Sequence, residues 1–334
     1  AHFGGFNDWR LPNIKELYSL IDFRGIDPSG YQGSTEGLVP FMDTNVFEFI
    51  YGDENIGERI IDSQYWTTSE YVSTTMNGDH TVFGVNFADG RIKGYPTTMM
   101  GQDKTAFVLC VRGNTNYSVN DFQDNGDGTI TDQATGLMWM QGDSADALNW
   151  QDALSYAENL TLAEHDDWRL PNAKELQTLV DYTRSPSTHN SAAIDPMFAC
   201  STIIDEGGAN NFPYYWTGTT HQNWSQEPGS QAIYVAFGEA LGWMQTPFPP
   251  YTYNLMDVHG AGAQRSDPKT GDPADWPYGH GPQGDTIRIY NHVRCVRDAV
   301  ENSGTENPIP SLETGLRMEN FPNPFNPSTE IVFY

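Results

Sequence analysis

The chain has 334 residues, with 44 acidic against 17 basic side chains and a formal charge of −27. That balance argues against nucleic acid and anionic membrane surfaces as partners, since both require a basic footprint; it suits high solubility, cation contacts or plain solvation. No stretch approaches the roughly 20 apolar residues of a membrane helix, and 13% aromatic content with 32 glycines and 21 prolines suits short strands, long loops and aromatic-rich cores.

The chain opens on a phrase that it later repeats. Residues 8–17 read DWRLPNIKEL and residues 167–176 read DWRLPNAKEL, differing only at Ile14 against Ala173. Self-similarity at this spacing predicts a tandem duplication of one globular domain. The echo keeps its order downstream. YWTTSEY (65–71) answers YWTGTTH (215–221), VNFADGRIKGY (85–95) answers VAFGEALGWM (235–244), and LCVRG (109–113) answers RCVRD (294–298). The spacing widens between Trp216 and Cys295, so copy two carries a longer insert before its last strand.

Residues 12–23 place Leu17, Leu20 and Ile21 at helical spacing behind Pro12, and the counterpart places Leu176, Leu179 and Val180. A second helix is predicted over 145–160, with Trp150, Ala153, Leu154 and Ala157 on one face. Its equivalent in copy one is expected ahead of Ala1, together with the GTITD hairpin and the GLMW strand. That absence would leave apolar core and a sheet edge of copy one uncovered. Strand signals fill most of the remainder, from YWTTSEY to IRIYNHVRCVR. The stretch 244–286 is too long for an idle connection, so it is functional or an ordered cover. Residues 299–315 read as a polar linker. The expected organisation is a first domain at 1–113 lacking its N-terminal part, a complete second domain at 114–298, the linker, and the start of a further β domain at 316–334. Each copy is expected to be α+β, with short twisted mixed strands, one or two helices and long loops.

Several groups of residues carry candidate chemistry. Asp124, Asn125, Asp127 and Asp132 surround Gly126 and Gly128, and hard oxygen ligands on a tight loop suit Ca²⁺; the same residues also suit a β-hairpin with Asp/Gly turn chemistry. Asp267, Asp272 and Asp275 form a second acidic group open to the same two readings. Arg10 with Glu16 and Arg169 with Glu175 read as bidentate pairs that hold a loop, while Trp66 and Trp216 read as core. Six aromatics sit in the copy-two loops: Trp224, Trp243, Tyr251, Tyr253, Trp276 and Tyr278. They suit stacking on sugar rings, and equally a protein interface. His259 and His280 stand on Gly-flanked loops without a recognisable nucleophile nearby. Cys110 and Cys295 are equivalent and Cys200 stands alone; a Cys200–Cys295 bridge and three buried thiols are both open. No cysteine or histidine cluster of the zinc or haem type occurs.

The ordered set FQDNGDGTITDQATGLMWMQ, LNWQDALSYAENL, DWRLPNAKEL, YWTGTT and VRCVRD resembles the Lcl C-terminal domain family of bacterial surface and secreted proteins. The resemblance covers residues 121–298, and 1–113 as a copy lacking its start. It implies a variant of the C-type-lectin-like fold, which formylglycine-generating enzymes also use, and a binding module more than a catalyst. It also places a cysteine of many members near Ala157, paired with the VRCVR cysteine; Ala157 removes that bridge here. The tail NFPNPFNPSTEIVFY resembles, through Asn320–Phe325 and Asn326–Thr329, the start of a sorting domain read by the type IX secretion machinery. Together these imply an extracellular or outer-membrane-surface protein of a bacterium. It would be non-catalytic, without membrane insertion, and would adhere to a glycan or matrix polymer. The alternatives are a subunit that binds copies of itself in a filament or surface layer, with Glu330–Tyr334 adding to a neighbour's edge, and an enzyme of the formylglycine-generating type.

Overall fold

The computed structural model describes residues 3–99, 101–246 and 248–299, and the backbone of 318–321 and 330–333. Among the described residues there are four α-helices: α1 (Ile14–Tyr18), α2 (Trp150–Glu158), α3 (Ala173–Thr178) and the short α4 (Pro186–His189). The strands are β1 (Gln64–Thr75), β2 (Asp79–Asn86), β3 (Arg91–Pro96), β4 (Phe122–Asp124), β5 (Thr129–Asp132), β6 (Leu137–Met140), β7 (Tyr214–His221), β8 (Gln231–Ala236), β9 (Leu241–Gln245), β10 (Tyr253–Asp257), β11 (Gln264–Pro268) and β12 (Val296–Asp298). A hairpin of β13 (Met318–Phe321) and β14 (Glu330–Phe333) comes last. This is an α+β arrangement dominated by strands.

The repeated phrase builds the same device twice. Asn13 and Asn172 cap α1 and α3, accepting from the backbone N–H of Glu16 at 2.8 Å and of Glu175 at 2.9 Å. Each glutamate returns the bond to its cap residue, completing a capping box. Each also holds an arginine, Arg10–Glu16 and Arg169–Glu175, both at 2.7 Å. The lysines work across the copies. Lys15 donates to the Thr178 carbonyl at 2.6 Å and Lys174 to the Ser19 carbonyl at 2.9 Å, so each copy caps the other's helix C-terminus. The duplication therefore folds back on itself about an approximate two-fold axis between α1 and α3. Both helices are shorter than their periodicity predicts. After α1, the N–H groups of Leu20 and Ile21 bond three residues back to Leu17 and Tyr18, tightening the chain out of the helix.

The strands of the two copies merge into one antiparallel sheet in the order β1-β2-β3-β11-β8-β7. Parallel contacts occur as isolated bridges such as Tyr65 with Phe107 and its counterpart Tyr215 with His292. The seam is β3 against β11, in register at Ile92 and Gln264. Gly94 is required there: its N–H donates to the His259 carbonyl at 2.9 Å, and a Cβ would meet that oxygen at 2.4 Å. Copy two departs from copy one at this point. The direct counterpart of β3 is β9, which peels away to pair with β10. The insert supplies β11 in its place. The long 244–286 stretch is thus ordered, and it completes the sheet.

The core follows the sheet. Ile14, Leu17, Phe41, Phe83 and Phe87 of copy one pack in one cluster with Leu176, Leu179, Val180, Tyr215 and Phe237 of copy two. A second cluster lies within copy two, where Ala153 and Ala157 of α2 cover Trp168, Trp216, Val293 and Cys295. Trp216 is buried as expected, as is Trp168, whereas Trp9 and Trp66 are only half-buried; among the described residues no helix like α2 lies over them.

Candidate binding cleft at the seam of the two copies

The turn into β3 and the strand itself put Asp89, Arg91, Lys93 and Tyr95 at alternate positions, lining a cleft of about 1040 Å³ with Arg265 of β11 and with His259, His280 and Asp285 from the insert. The floor is a network of opposite charges. Arg91 reaches Asp27 at 2.7 Å and Asp89 at 3.4 Å, and Lys93 also pairs with Asp89. Across the seam Asp285 takes Arg265 and, at 2.9 Å, the Nε2 of His259. Asp89 is fully buried; burial alone would raise its pKa, but the charges of Lys93, Arg91 and Arg265 outweigh that and hold it down at about 2. Burial brings Lys93 down to about 8 and Arg265 to about 10, the neighbouring cations adding to it. Desolvation, helped by Arg265 and Lys93, keeps His259 neutral, well below its ordinary range.

The network is not closed. Asp89 Oδ1, Arg91 Nε, Tyr95 Oη, His259 Nδ1 and Arg265 Nη1 are buried without a hydrogen-bond partner among the described residues. Buried polar atoms are normally satisfied; the five side chains that carry these atoms all line the cleft, while the atoms themselves are closed off from its surface.

Aromatic side chains wall the same cleft. Trp224 donates its indole N–H to the Ser29 carbonyl at 2.7 Å and meets Tyr31 edge-on at 5.4 Å. Trp276 meets His280 edge-on at 5.5 Å. Trp224 and Trp276 line a cavity of about 270 Å³ over Asp27, Arg91 and Arg265; Ser29, Arg91, Arg265, His280 and Asp285 line both this cavity and the larger cleft. On its other side Trp276 borders a third cavity of about 520 Å³, lined by Trp243, Tyr214, Arg288 and Tyr290. Of the six aromatics singled out by sequence, Trp224 and Trp276 thus share one cavity and Trp243 and Trp276 another. Tyr253 and Tyr278 stack on each other at 3.9 Å, with Trp243 edge-on to Tyr278. Tyr251 is exposed and lines none of these cavities. Sequence reasoning missed the charged floor: Asp27, Asp89, Arg91, Lys93, Arg265 and Asp285. One signal was present, because Arg91 and Lys93 of ADGRIK answer Leu241 and Trp243 of GEALGW in copy two.

The acidic groups do not come together. Asp124 and Asp127 accept from the N–H groups of Gly126 and Thr129. Asp132 is buried and accepts from the N–H groups of Asp121 and Ala134, and Asn125 donates to Thr129 and Thr131. Asp272 caps a short 3₁₀ turn. Asp267 is buried under the N–H groups of Arg288 and Ile289 and the Asn291 amide; burial raises it to about 6 despite those donors. Asp275 sits exposed in the loop. Among the described residues no three such side chains converge as metal ligands. The Cys200–Cys295 bridge is not formed: all three thiols are free, and Cys110 is exposed, not buried. Burial pushes the Cys295 thiol up to about 12. Cys200 instead receives a bond from Arg294 at 3.4 Å.

The duplication is also visible in comparison with known proteins: the Lcl C-terminal domain family matches residues 1–112 and again residues 128–256. The chain belongs to the Lcl C-terminal domain family. No curated protein and no solved structure matches it. The second match ends before the seam strand β11 and the Trp276 loop, so the insert that completes the cleft lies outside it. Among the described residues no helix of this Lcl-family chain is long and apolar enough to cross a membrane.

Proposed function

We propose that this chain is a secreted or surface-displayed, non-catalytic binding protein whose ligand, a glycan or matrix polymer, lies along the seam groove. The carrying observation is that Trp224 and Trp276 line one cavity together with the charged side chains of Asp27, Arg91, Arg265 and Asp285. A sugar ring has an apolar C–H face for an aromatic wall and a hydroxyl rim for carboxylates and guanidinium groups. Binding sites of this kind are apolar-walled with a few placed polar groups. The cleft alone, at about 1040 Å³, stands at the top of the roughly 300–1,000 Å³ of a typical small-ligand site, which favours several residues of a polymer over one terminal sugar.

The fold is proposed to be a C-type-lectin-like variant, and Asn320–Thr329 to begin a sorting domain for type IX secretion. Of that segment, residues 322–329 lie outside the described residues, as do Pro247, linker residues 300–315 and Tyr334. The binding reading is tested by calorimetric titration of the full chain against soluble polysaccharides. Trp224→Ala and Trp276→Ala are each expected to weaken binding at least tenfold, with Tyr251→Ala unchanged. Absence of binding across the panel, or wild-type affinity in both Trp variants, overturns it.

A further inference from the structure

Away from the cleft, three side chains meet where the copies join. Lys15 of α1 reaches across to copy two, where its Nζ donates to the Asn120 Oδ1 at 3.1 Å and to the Thr178 carbonyl at 2.6 Å. Asn120 stands just ahead of β4, and its Nδ2 donates in turn to the Asp132 Oδ2 at 2.8 Å. Asp132 ends β5 and is fully buried. Its Oδ1 is fixed by the N–H groups of Asp121 at 2.9 Å and Ala134 at 3.1 Å, and its Oδ2 also by the Thr135 hydroxyl at 3.0 Å. An amine, a carboxamide and a carboxylate therefore stand in line, each held by its neighbours.

That line has what amide exchange between side chains requires. A lysine attacks only when neutral, and desolvation makes it so near neutral pH. Burial brings Lys15 down to about 8, against the charges of Asp181 and Asp132; Lys174 is the other charged group on the same cavity. The fold holds the two reacting groups together, which replaces a bimolecular encounter. The cavity, of about 350 Å³, has Lys15, Asn120 and Thr178 in its wall together with the exposed Asn116 and Tyr117, so departing ammonia reaches solvent.

We propose that Lys15 and Asn120 join through an amide bond between their side chains, tying copy one covalently to copy two. The neutral Lys15 Nζ attacks Asn120 Cγ and the new C–N bond forms. Both nitrogens then sit on one carbon, beside the Asp132 oxygen that already holds Nδ2. Asp132 takes the proton that Nζ gives up and passes one to Nδ2. The Cγ–Nδ2 bond breaks, ammonia leaves, and the carboxylate ends as it began. One amine and one primary amide become one secondary amide and ammonia, so the balance needs no oxidant or co-reactant. Until the bond forms, Lys15 holds Asn120 and Thr178 by hydrogen bonds alone.

The test is tryptic mapping of the full folded chain after incubation at about pH 9. Residues 11–24 and 113–169 should appear as one branched peptide, lighter than their sum by one ammonia. Ring closure at Asn77–Gly78 or Asn125–Gly126 also loses ammonia but joins no two peptides. Formation should be at least roughly tenfold faster at about pH 9 than at about pH 6, because it follows the neutral amine. Lys15→Arg keeps a cation for the Thr178 carbonyl and should give no branched peptide. Asp132→Asn should slow formation at least roughly tenfold. Absence of the branched peptide from the folded wild-type chain overturns the proposal. So does equal formation in urea, or formation at the wild-type rate in Asp132→Asn.

Discussion

Asp257 at the end of β10 is held by both copies. Its Oδ2 accepts from the Tyr71 hydroxyl of β1 at 2.8 Å, its Oδ1 from the Gly260 N–H at 2.8 Å, and its carbonyl from the Met76 N–H at 2.7 Å. Burial, with Glu239 nearby, raises its pKa from 3.8 to about 7 against the pull of those donors. A raised acid binds its proton more tightly folded than unfolded. Its contribution is therefore complete below about pH 4, falls as pH rises, and is gone above about pH 7. A shift of about three units corresponds to about 4 kcal/mol; because the residue is only half-buried, we expect about 2 kcal/mol after solvent screening. Asp257→Asn keeps an acceptor for Gly260 and presents an amide donor to the Tyr71 oxygen. In urea unfolding followed by tryptophan fluorescence, the variant should match wild type at pH 4 and gain about 2 kcal/mol at pH 8. The residual pH slope then belongs in part to Asp267, which titrates with the same sign near 6. Equal destabilisation at both pH values would refute the reasoning, because it would mean that the carboxylate charge itself is needed.

Three further outcomes rest on single contacts. Asp89→Ala leaves Lys93 and Arg91 short of a buried counter-charge and should cost about 3–5 kcal/mol in urea unfolding, with Lys93→Met restoring part of it. Lys15→Ala and Lys174→Ala each remove one reciprocal helix-end contact. In chains without the Lys15–Asn120 amide, both should cost about 1–2 kcal/mol, Lys15→Ala the more because Lys15 also donates to Asn120 at 3.1 Å; no loss in either variant would count against the reciprocal caps. The carboxylates of Asp124, Asp127 and Asp132 are spent on their own turns, so a chelator should leave the melting temperature unchanged; a clear drop would restore calcium.

The repeated DWRLPN-KEL phrase was legible because its work is local: Asn13 caps, Glu16 completes the box and holds Arg10, and all lie within seven residues. Its lysine was not, since Lys15 acts on Thr178 in the other copy. The seam was hidden for the same reason. Pairing of β3 with β11 joins residues far apart in sequence, and no local pattern at Ile92 or Gln264 announces it. The insert's length pointed to an ordered role, but its supply of a strand to the sheet depended on β9 peeling away. Trp224 and Trp276 were found by residue type and exposure. The floor beneath them was not, because DGRIK read alone is an ordinary charged hairpin. Only against Leu241 and Trp243 of copy two do Arg91 and Lys93 stand out, while Asp89 answers another carboxylate, Glu239.

The central claim is that one binding groove is built by both copies together. Hydrogen–deuterium exchange of the full chain, with and without a bound polysaccharide, tests it most directly. The expected result is simultaneous protection of residues 28–32 and 89–95 in copy one and of residues 264–285 in copy two. Protection confined to one copy would contradict it.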